Sequence, residues 1–248
     1  MRMDGNTIFI TGGSEGIGRG MAEAFHQLGN QVIIAGRREA ALKAVCEANP
    51  GMRYYVLDVA DPAQIATVAK KAIADFPKLN CVIANAGVQR LYSFAGEQAP
   101  DDFLIAEEIN INLTGLIRTT TAFLPHLRTQ ERATVVHLSS GLAFVPLAAC
   151  AVYCATKAAI HSLTMSLRHQ YRNTSVKFVE LIPPRVDTTL GGGSGNSPFS
   201  MTVPDFVAAA MNGFAGGADE VPVGHAKNLF AAGAGESAKP AFAGMNPA

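Results

Sequence analysis

Six apolar runs of strand length alternate along this chain with segments of helical periodicity, and no other feature restricts its folding as much. The runs are Thr7–Ile10, Val32–Ala35, Tyr54–Leu57, Cys81–Ala84, Val135–Leu138 and Val176–Ile182. Strand, helix and strand in succession build βαβ units, which set consecutive strands parallel in one sheet. Runs this uniformly apolar leave no face for water, so helices must cover both sides. The expected class is α/β, a doubly wound parallel sheet of about seven strands.

The helices are legible in the same way. Ile17, Met21, Phe25 and Leu28 recur every three or four residues and Gly29 follows, which predicts a helix with one buried stripe and a glycine stop. Pro62–Phe76 and Val152–Tyr171 read similarly. After the sixth run, Leu190–Pro198 reads LGGGSGNSP. So many glycines make a fixed backbone costly, so a mobile substrate loop is expected over about 184–200. Asp205–Phe214 then suggests a helix and Val221–Val223 a last strand, while the Ala-, Gly- and Pro-rich tail from Ala231 is assigned no structure.

A chain of 248 residues, 48% hydrophobic and 16% charged, suits a single domain spanning 1–248. Lys plus Arg and Asp plus Glu both number 20, so no net field draws in nucleic acid or an anionic membrane. The short apolar run near the start lacks a cleavage site, and no run approaches the roughly 18 residues of a membrane span. A soluble, cytoplasmic protein is expected. Cys46, Cys81, Cys150 and Cys154 show no CxxC spacing and are read as small buried thiols.

The first strand runs directly into TGGSEGIG, Thr11–Gly18, and then into the periodic helix. Glycines 12, 16 and 18 suit a tight turn that brings backbone N–H groups against a pyrophosphate at the helix N-terminus. No GK[ST] follows, which excludes a nucleotide triphosphatase loop. The second strand ends in AGRRE instead of the acidic residue that would bind the ribose 2′-hydroxyl of NAD. Arg37 and Arg38 can pair there with a 2′-phosphate, Gly36 making room, or they simply open a solvated helix. Glu15, a carboxylate near the same phosphate, weighs the other way. The balance favours NADP(H), with NAD(H) left open. Asp58, closing the third strand, suits either the adenine amino group or a turn, and Asn85, Ala86 and Gly87 let the chain pass close under a cofactor.

The fifth strand ends in VVHLSSG; Tyr153 lies thirteen residues after Ser140, and Lys157 four further on. Positions four apart share a helix face, so an ammonium can sit beside the phenol and stabilise its anion. A tyrosine tuned in this way can give a proton to a carbonyl oxygen as hydride reaches the carbon. Ser140, at the carboxyl end of a strand, can hydrogen-bond that same oxygen.

TGGSEGIG, ANAG, the serine after the fifth strand and YCATK, in this order, resemble the short-chain dehydrogenase/reductase family over about residues 6–190. The resemblance implies a Rossmann-type fold, a carbonyl reductase or alcohol dehydrogenase activity, and a homodimer or homotetramer joined through two long helices, here around 102–128 and 152–172. It implies that Gly12, Gly16 and Gly18 bind the cofactor diphosphate, flanked by Ser14, Glu15 and Ile17, with Arg37 and Arg38 at the ribose end. It further implies that Asp58 and Val59 meet the adenine, and that Asn85, Ala86 and Gly87 lie beside the nicotinamide ribose. Ser140 is then the substrate-orienting residue, Tyr153 the acid–base, and Lys157 its partner and a ligand of the ribose hydroxyls. Asn112, in INLTG, matches the family's asparagine that holds a water and extends a proton relay from Lys157. Pro183, Val186 and Thr188 complete the cofactor set, Thr188 at the nicotinamide amide. Two departures stand out. NNAG reads Ala84–Gly87, and the usual Pro-Gly reads Pro183–Pro184, which stiffens the start of the substrate loop.

Other chemistries fit poorly. A serine hydrolase needs a GxSxG elbow, which HLSSGL lacks, and His137 is read as structural. The other histidines, His26, His126, His161, His169 and His225, make no i,i+4 pair, so no metal is expected. A non-catalytic dinucleotide sensor would need the glycine loop but not the proton-transfer set. The expected partner is a small-molecule carbonyl or alcohol, medium-sized or bulky and largely hydrophobic, in a pocket lined by Gln89–Tyr92, Leu142–Pro146 and the 184–198 loop.

Overall fold

Every expected strand forms in the computed structural model, which describes residues 2–96, 100–190, 200–233 and 239–245. The strands are β1 (Thr7–Thr11), β2 (Gln31–Gly36), β3 (Arg53–Val56), β4 (Leu79–Ala84), β5 (Ala133–Leu138), β6 (Val176–Ile182) and β7 (Glu220–Pro222). The helices are α1 (Gly16–Gln27), α2 (Glu39–Ala48), α3 (Pro62–Asp75), α4 (Asp102–Ile109), α5 (Gly115–Leu127), α6 (Ala151–Gln170), α7 (Val203–Ala215), α8 (Ala226–Ala232) and α9 (Lys239–Met245). The sheet has the order β3-β2-β1-β4-β5-β6-β7, with each neighbouring pair parallel.

Side chains of a strand alternate between faces, and here both faces are apolar. Ile8 and Ile10 of β1 pack with Met21 and Phe25 of α1, Leu42 of α2, and Phe206 and Phe214 of α7. Phe9 points the other way, into a layer with Ile65 of α3, Phe123 of α5 and Leu167 of α6. Strand order reverses between β1 and β4, and the carboxyl ends of such strands form the crevice where sheets of this class bind ligands. Every candidate site residue named above follows a strand at that end or stands on a helix beside it.

Two expectations need correction, and a third gains detail. Leu28 does not join the stripe of α1; it lies beyond the last helical turn and is 47% exposed. The long helix expected around 102–128 forms without a break, but a π-helical turn at Asn110–Thr114 joins α4 to α5 and shifts the register between them. The tail from Ala231 is not without structure, since α8 ends at Ala232 and α9 follows. The mobile loop expected over 184–200 falls largely on 191–199, outside the described residues. Its two flanks are tied together, Asp187 N–H to Met201 O at 2.9 Å and Met201 N–H to Arg185 O at 3.0 Å.

Phe123 carries much of the packing between α5 and the sheet, its ring 4.8 Å from that of Phe9. Phe123→Ala is expected to destabilise the fold by about 3–5 kcal/mol. Denaturant unfolding checks this as a lowered midpoint with the slope unchanged.

Candidate active site

The glycine turn is built around one hydroxyl. Thr11 Oγ1, at the end of β1, accepts the backbone N–H of Asn85 at 3.0 Å and of Ala86 at 3.1 Å. The Asn85 side chain answers from β4, donating to Thr11 O at 2.9 Å and Gly12 O at 3.2 Å. Gly12 and Gly16 adopt φ values of 68° and 53°, a region that side chains disfavour. A Cβ on Gly18 would fall 2.2 Å from the Gly12 carbonyl oxygen. The turn therefore leaves its backbone bare at the start of α1, where N–H groups and the helix dipole favour an anion. Thr11 was not singled out in the sequence; its place directly before Gly12 is the signal that marks it.

At the far end of the turn, β2 ends in Gly36 and the exposed Arg37 and Arg38 follow. Glu15 bridges the region: Oε1 pairs with Arg38 Nη2 at 2.8 Å, and Oε2 accepts from Thr189 Oγ1 at 3.2 Å. Thr188 stands over the turn, so that a Cβ on Gly16 would come within 3.0 Å of its methyl carbon. Asp58 holds a turn, its Oδ1 accepting from Ala60 N–H at 2.9 Å, and Val59 is buried in the core. Val186 bridges to Met201, and Pro183 is buried, its carbonyl accepting from Gly141 N–H at 2.9 Å. Ser14 and Ile17 flank the turn half-buried.

Asn112 sits in the π-turn and is 1% exposed. Its Oδ1 accepts from Val88 N–H at 2.8 Å, while Nδ2 donates to Val88 O at 2.8 Å and Thr156 Oγ1 at 3.3 Å. The side chain thus clamps the segment that follows β4 against α6. π-turns of this sort recur at functional sites because they redirect side chains off the helical register.

Ser140, Tyr153 and Lys157 converge as their spacing predicts, at 7%, 6% and 5% exposure. Lys157 Nζ lies 5.4 Å from the centre of the Tyr153 ring and donates to Leu138 O at 2.8 Å. Burial pushes the Tyr153 phenol above the usual tyrosine range, against a smaller downward pull from its hydrogen bond with Ser140. Burial also lowers the Lys157 ammonium to about 8. The pair therefore differs from the expectation of a phenol acidified by lysine. In the protein alone, loss of water outweighs attraction, and the neutral phenol is favoured.

The surroundings are partly apolar, with Leu142 and Leu147 packed on Tyr153, Cys150 and Cys154. Gln89 Nε2 donates to Cys150 Sγ at 3.2 Å, and Tyr92 N–H bonds Ala149 O at 2.9 Å, which ties the segment after β4 to the turn that leads into α6. All four cysteines are free. His137 is structural: it is held between Thr120 and Thr164, and burial lowers it to about 3. Glu108 was missed. It is fully buried on α4, accepts from Arg90 N–H at 3.1 Å, and its charge opposes ionisation of Tyr153. A cavity of about 690 Å³ is lined by Pro184, Ser200, Met201, Thr202, Asp205, Gly224 and His225, and none of the three converging residues lines it.

A doubly wound sheet, a bare glycine turn at its switch point and a phenol beside a buried lysine define the Rossmann-type oxidoreductase class. Residues 6–196 match the family described as short chain dehydrogenase. The chain belongs to that family. It is 40% identical over 225 residues to the uncharacterized oxidoreductase DltE of Bacillus subtilis (strain 168), covering 89% of each protein. It is 30% identical over 189 residues to the L-fucose dehydrogenase of Bos taurus, covering 76% of this chain and 69% of that protein. The fold superposes with a TM-score of 0.85 and 25% identity on a short chain dehydrogenase from Burkholderia cenocepacia J2315 in complex with NADP, across 100% of both chains. No helix among the described residues is long and apolar enough to cross a membrane.

The clamp at Asn112 gives a direct test. Asn112→Ala leaves the Val88 N–H and C=O without partners, at about 1–3 kcal/mol for each buried group. Denaturant melts should show that loss, and Asn112→Asp, which keeps an acceptor for the N–H, should recover part of it.

Proposed function

We propose that the protein is an NADP(H)-dependent carbonyl reductase, moving hydride between the nicotinamide and a ketone, an aldehyde or, in reverse, a secondary alcohol. The observation that carries this reading is the convergence of Ser140, Tyr153 and Lys157 beside a glycine turn with no room for side chains. That turn fits a dinucleotide diphosphate: Gly12, Gly16 and Gly18 keep backbone N–H groups open, and Thr188 and Val186 stand across from them. Bound there, the cofactor supplies the hydride.

The chain's own residues handle the proton. Ser140 hydrogen-bonds the carbonyl oxygen, and Tyr153 transfers its phenolic proton to that oxygen as negative charge builds on it. Burial keeps Tyr153 protonated until that moment. The anion left on the phenol is then stabilised by the Lys157 ammonium, which acts on the product of the transfer more than on the resting acid. Lys157 also suits the ribose hydroxyls, and Asn112, packed between Val88 and Thr156, suits the start of a route by which Tyr153 regains a proton.

Arg37 and Arg38 favour a 2′-phosphate. Arg38 is paired with Glu15, yet both side chains are about half exposed, and an exposed pair of this kind is worth only about 0–1 kcal/mol. A phosphate dianion outcompetes it. The relative solved with NADP supports the same choice. The packing of Leu142 and Leu147 on Tyr153 supports a substrate with an apolar body. Phe103 on α4 is 72% exposed and Met165 on α6 51% exposed, which supports association of two or four copies through these helices.

Tyr153→Phe should abolish turnover of any carbonyl substrate while NADPH binding, followed by fluorescence titration, is retained. Near-normal turnover in this variant would overturn the mechanism. Arg37→Asp should move the ratio of kcat/KM values from NADPH toward NADH by at least tenfold, measured on one ketone with both cofactors; an unchanged ratio would show that another group reads the ribose.

A further inference from the structure

Outside the active site, α6, β6 and β7 bring His161, Glu180 and Glu220 together, with one ligand atom of each within 4.8 Å of the others. Glu180 is 0% exposed, in the middle of β6 between His137 and Glu220 on the neighbouring strands. Its Oε2 is 2.8 Å from His161 Nδ1, while Oε1 is buried with no hydrogen-bond partner. An orphaned carboxylate oxygen at such depth is costly unless an ion or water meets it. The charges point the same way. The Arg168 guanidinium pairs with Glu220, Nη1 to Oε1 at 3.0 Å, whereas among the described residues Glu180 has only His161 beside it.

We propose that His161, Glu180 and Glu220 form a binding site for one divalent transition-metal ion, with Zn²⁺ as the best match. One imidazole and two carboxylates, with water in a fourth position, form a set that zinc accepts at about 2.0–2.2 Å from each ligand atom. Ligand atoms of such a site lie about 3.3 Å apart. The side chains of His161 and Glu220 are 24% and 29% exposed, so they have the freedom to close on the immobile Glu180. Arg168, anchored by Phe178 O at 3.3 Å and Asp219 O at 3.0 Å, stays as the hydrogen-bonding support of Glu220. The ring of Phe144, 4.7 Å from that of His161, walls the site with an apolar edge.

The ion would cross-link a helix to two strands. His161 follows Lys157 by one helical turn, so the metal would hold the segment of α6 that carries Tyr153 and Lys157 against β6 and β7. The site is independent of the reaction assigned above.

The full-length protein, stripped with EDTA and dialysed, is titrated with ZnCl₂ by calorimetry, and crystals soaked in the same salt are examined at the zinc edge. One ion per chain, an anomalous peak between His161, Glu180 and Glu220, and a Tm that climbs with zinc concentration are expected. Glu220→Gln and His161→Gln should each weaken binding more than tenfold, whereas His169→Gln leaves it unchanged. Circular dichroism of the metal-free variants shows that they fold. Binding below one equivalent, a peak elsewhere, or an affinity that neither variant alters would overturn the proposal and leave a proton on His161 as the partner of Glu180.

Discussion

The hydroxyl of Thr11 holds the two halves of the sheet in working relation. β1 and β4 part company at their carboxyl ends, and that divergence opens the crevice, but it also strands the backbone N–H groups of Asn85 and Ala86. Thr11 Oγ1 accepts both, and Asn85 returns bonds to the carbonyls of Thr11 and Gly12. The glycine turn is thereby locked to the strand whose extension passes Val88 and Gln89. Gly12 and Gly18 follow from this closeness, because a side chain on either would strike Asn85 or the turn itself. Lack of bulk is what Gly18 supplies, while Gly12, at φ 68°, supplies both lack of bulk and conformational freedom.

The same segment is gripped a second time, by Asn112. Inserting a residue into a helix at a π-turn turns this amide inward, where it satisfies both backbone groups of Val88 and reaches Thr156 on α6. One side chain thus couples α4 and α5, the floor of the crevice and the helix that bears Tyr153. Lys157 makes a comparable link, its ammonium resting on Leu138 O at the end of β5. Ser140, Tyr153 and Lys157 are thus held at a strand end and a helix start, which suits the proposed proton transfer because such chemistry tolerates little displacement.

Electrostatics in the site are governed by burial. Desolvation disfavours the charged form of both groups, so the Tyr153 phenol stays neutral and the Lys157 ammonium, lowered to about 8, holds its proton less firmly than in water. Glu108 adds a buried negative charge that works in the same direction on the phenol. Ser140 works against them, and any further stabilisation of the phenolate must come as charge develops during proton transfer. This is how a site can keep its acid protonated until it is used.

The alternation of apolar runs with helical stripes made the α/β class, the seven strands and the glycine turn legible, since period and turn chemistry are local. YCATK with Ser140 upstream likewise announced a convergence that one helical turn and one strand end suffice to build. Leu28 was misjudged because a stripe continued on paper past the point where Gly29, at φ 79°, ends the helix. The π-turn was invisible, since it depends on Val88 offering its backbone to Asn112 across the fold. Glu108 and Thr11 gained their roles only from what packs against them. The histidines, scattered along the chain with no spacing to connect them, gave no hint that His161 would meet two glutamates from different strands. Local patterns therefore determined which elements form and which residues can do chemistry. The tertiary structure alone decided which buried polar groups found partners, because burial and proximity across the sheet are properties of the packed chain and not of any stretch of it.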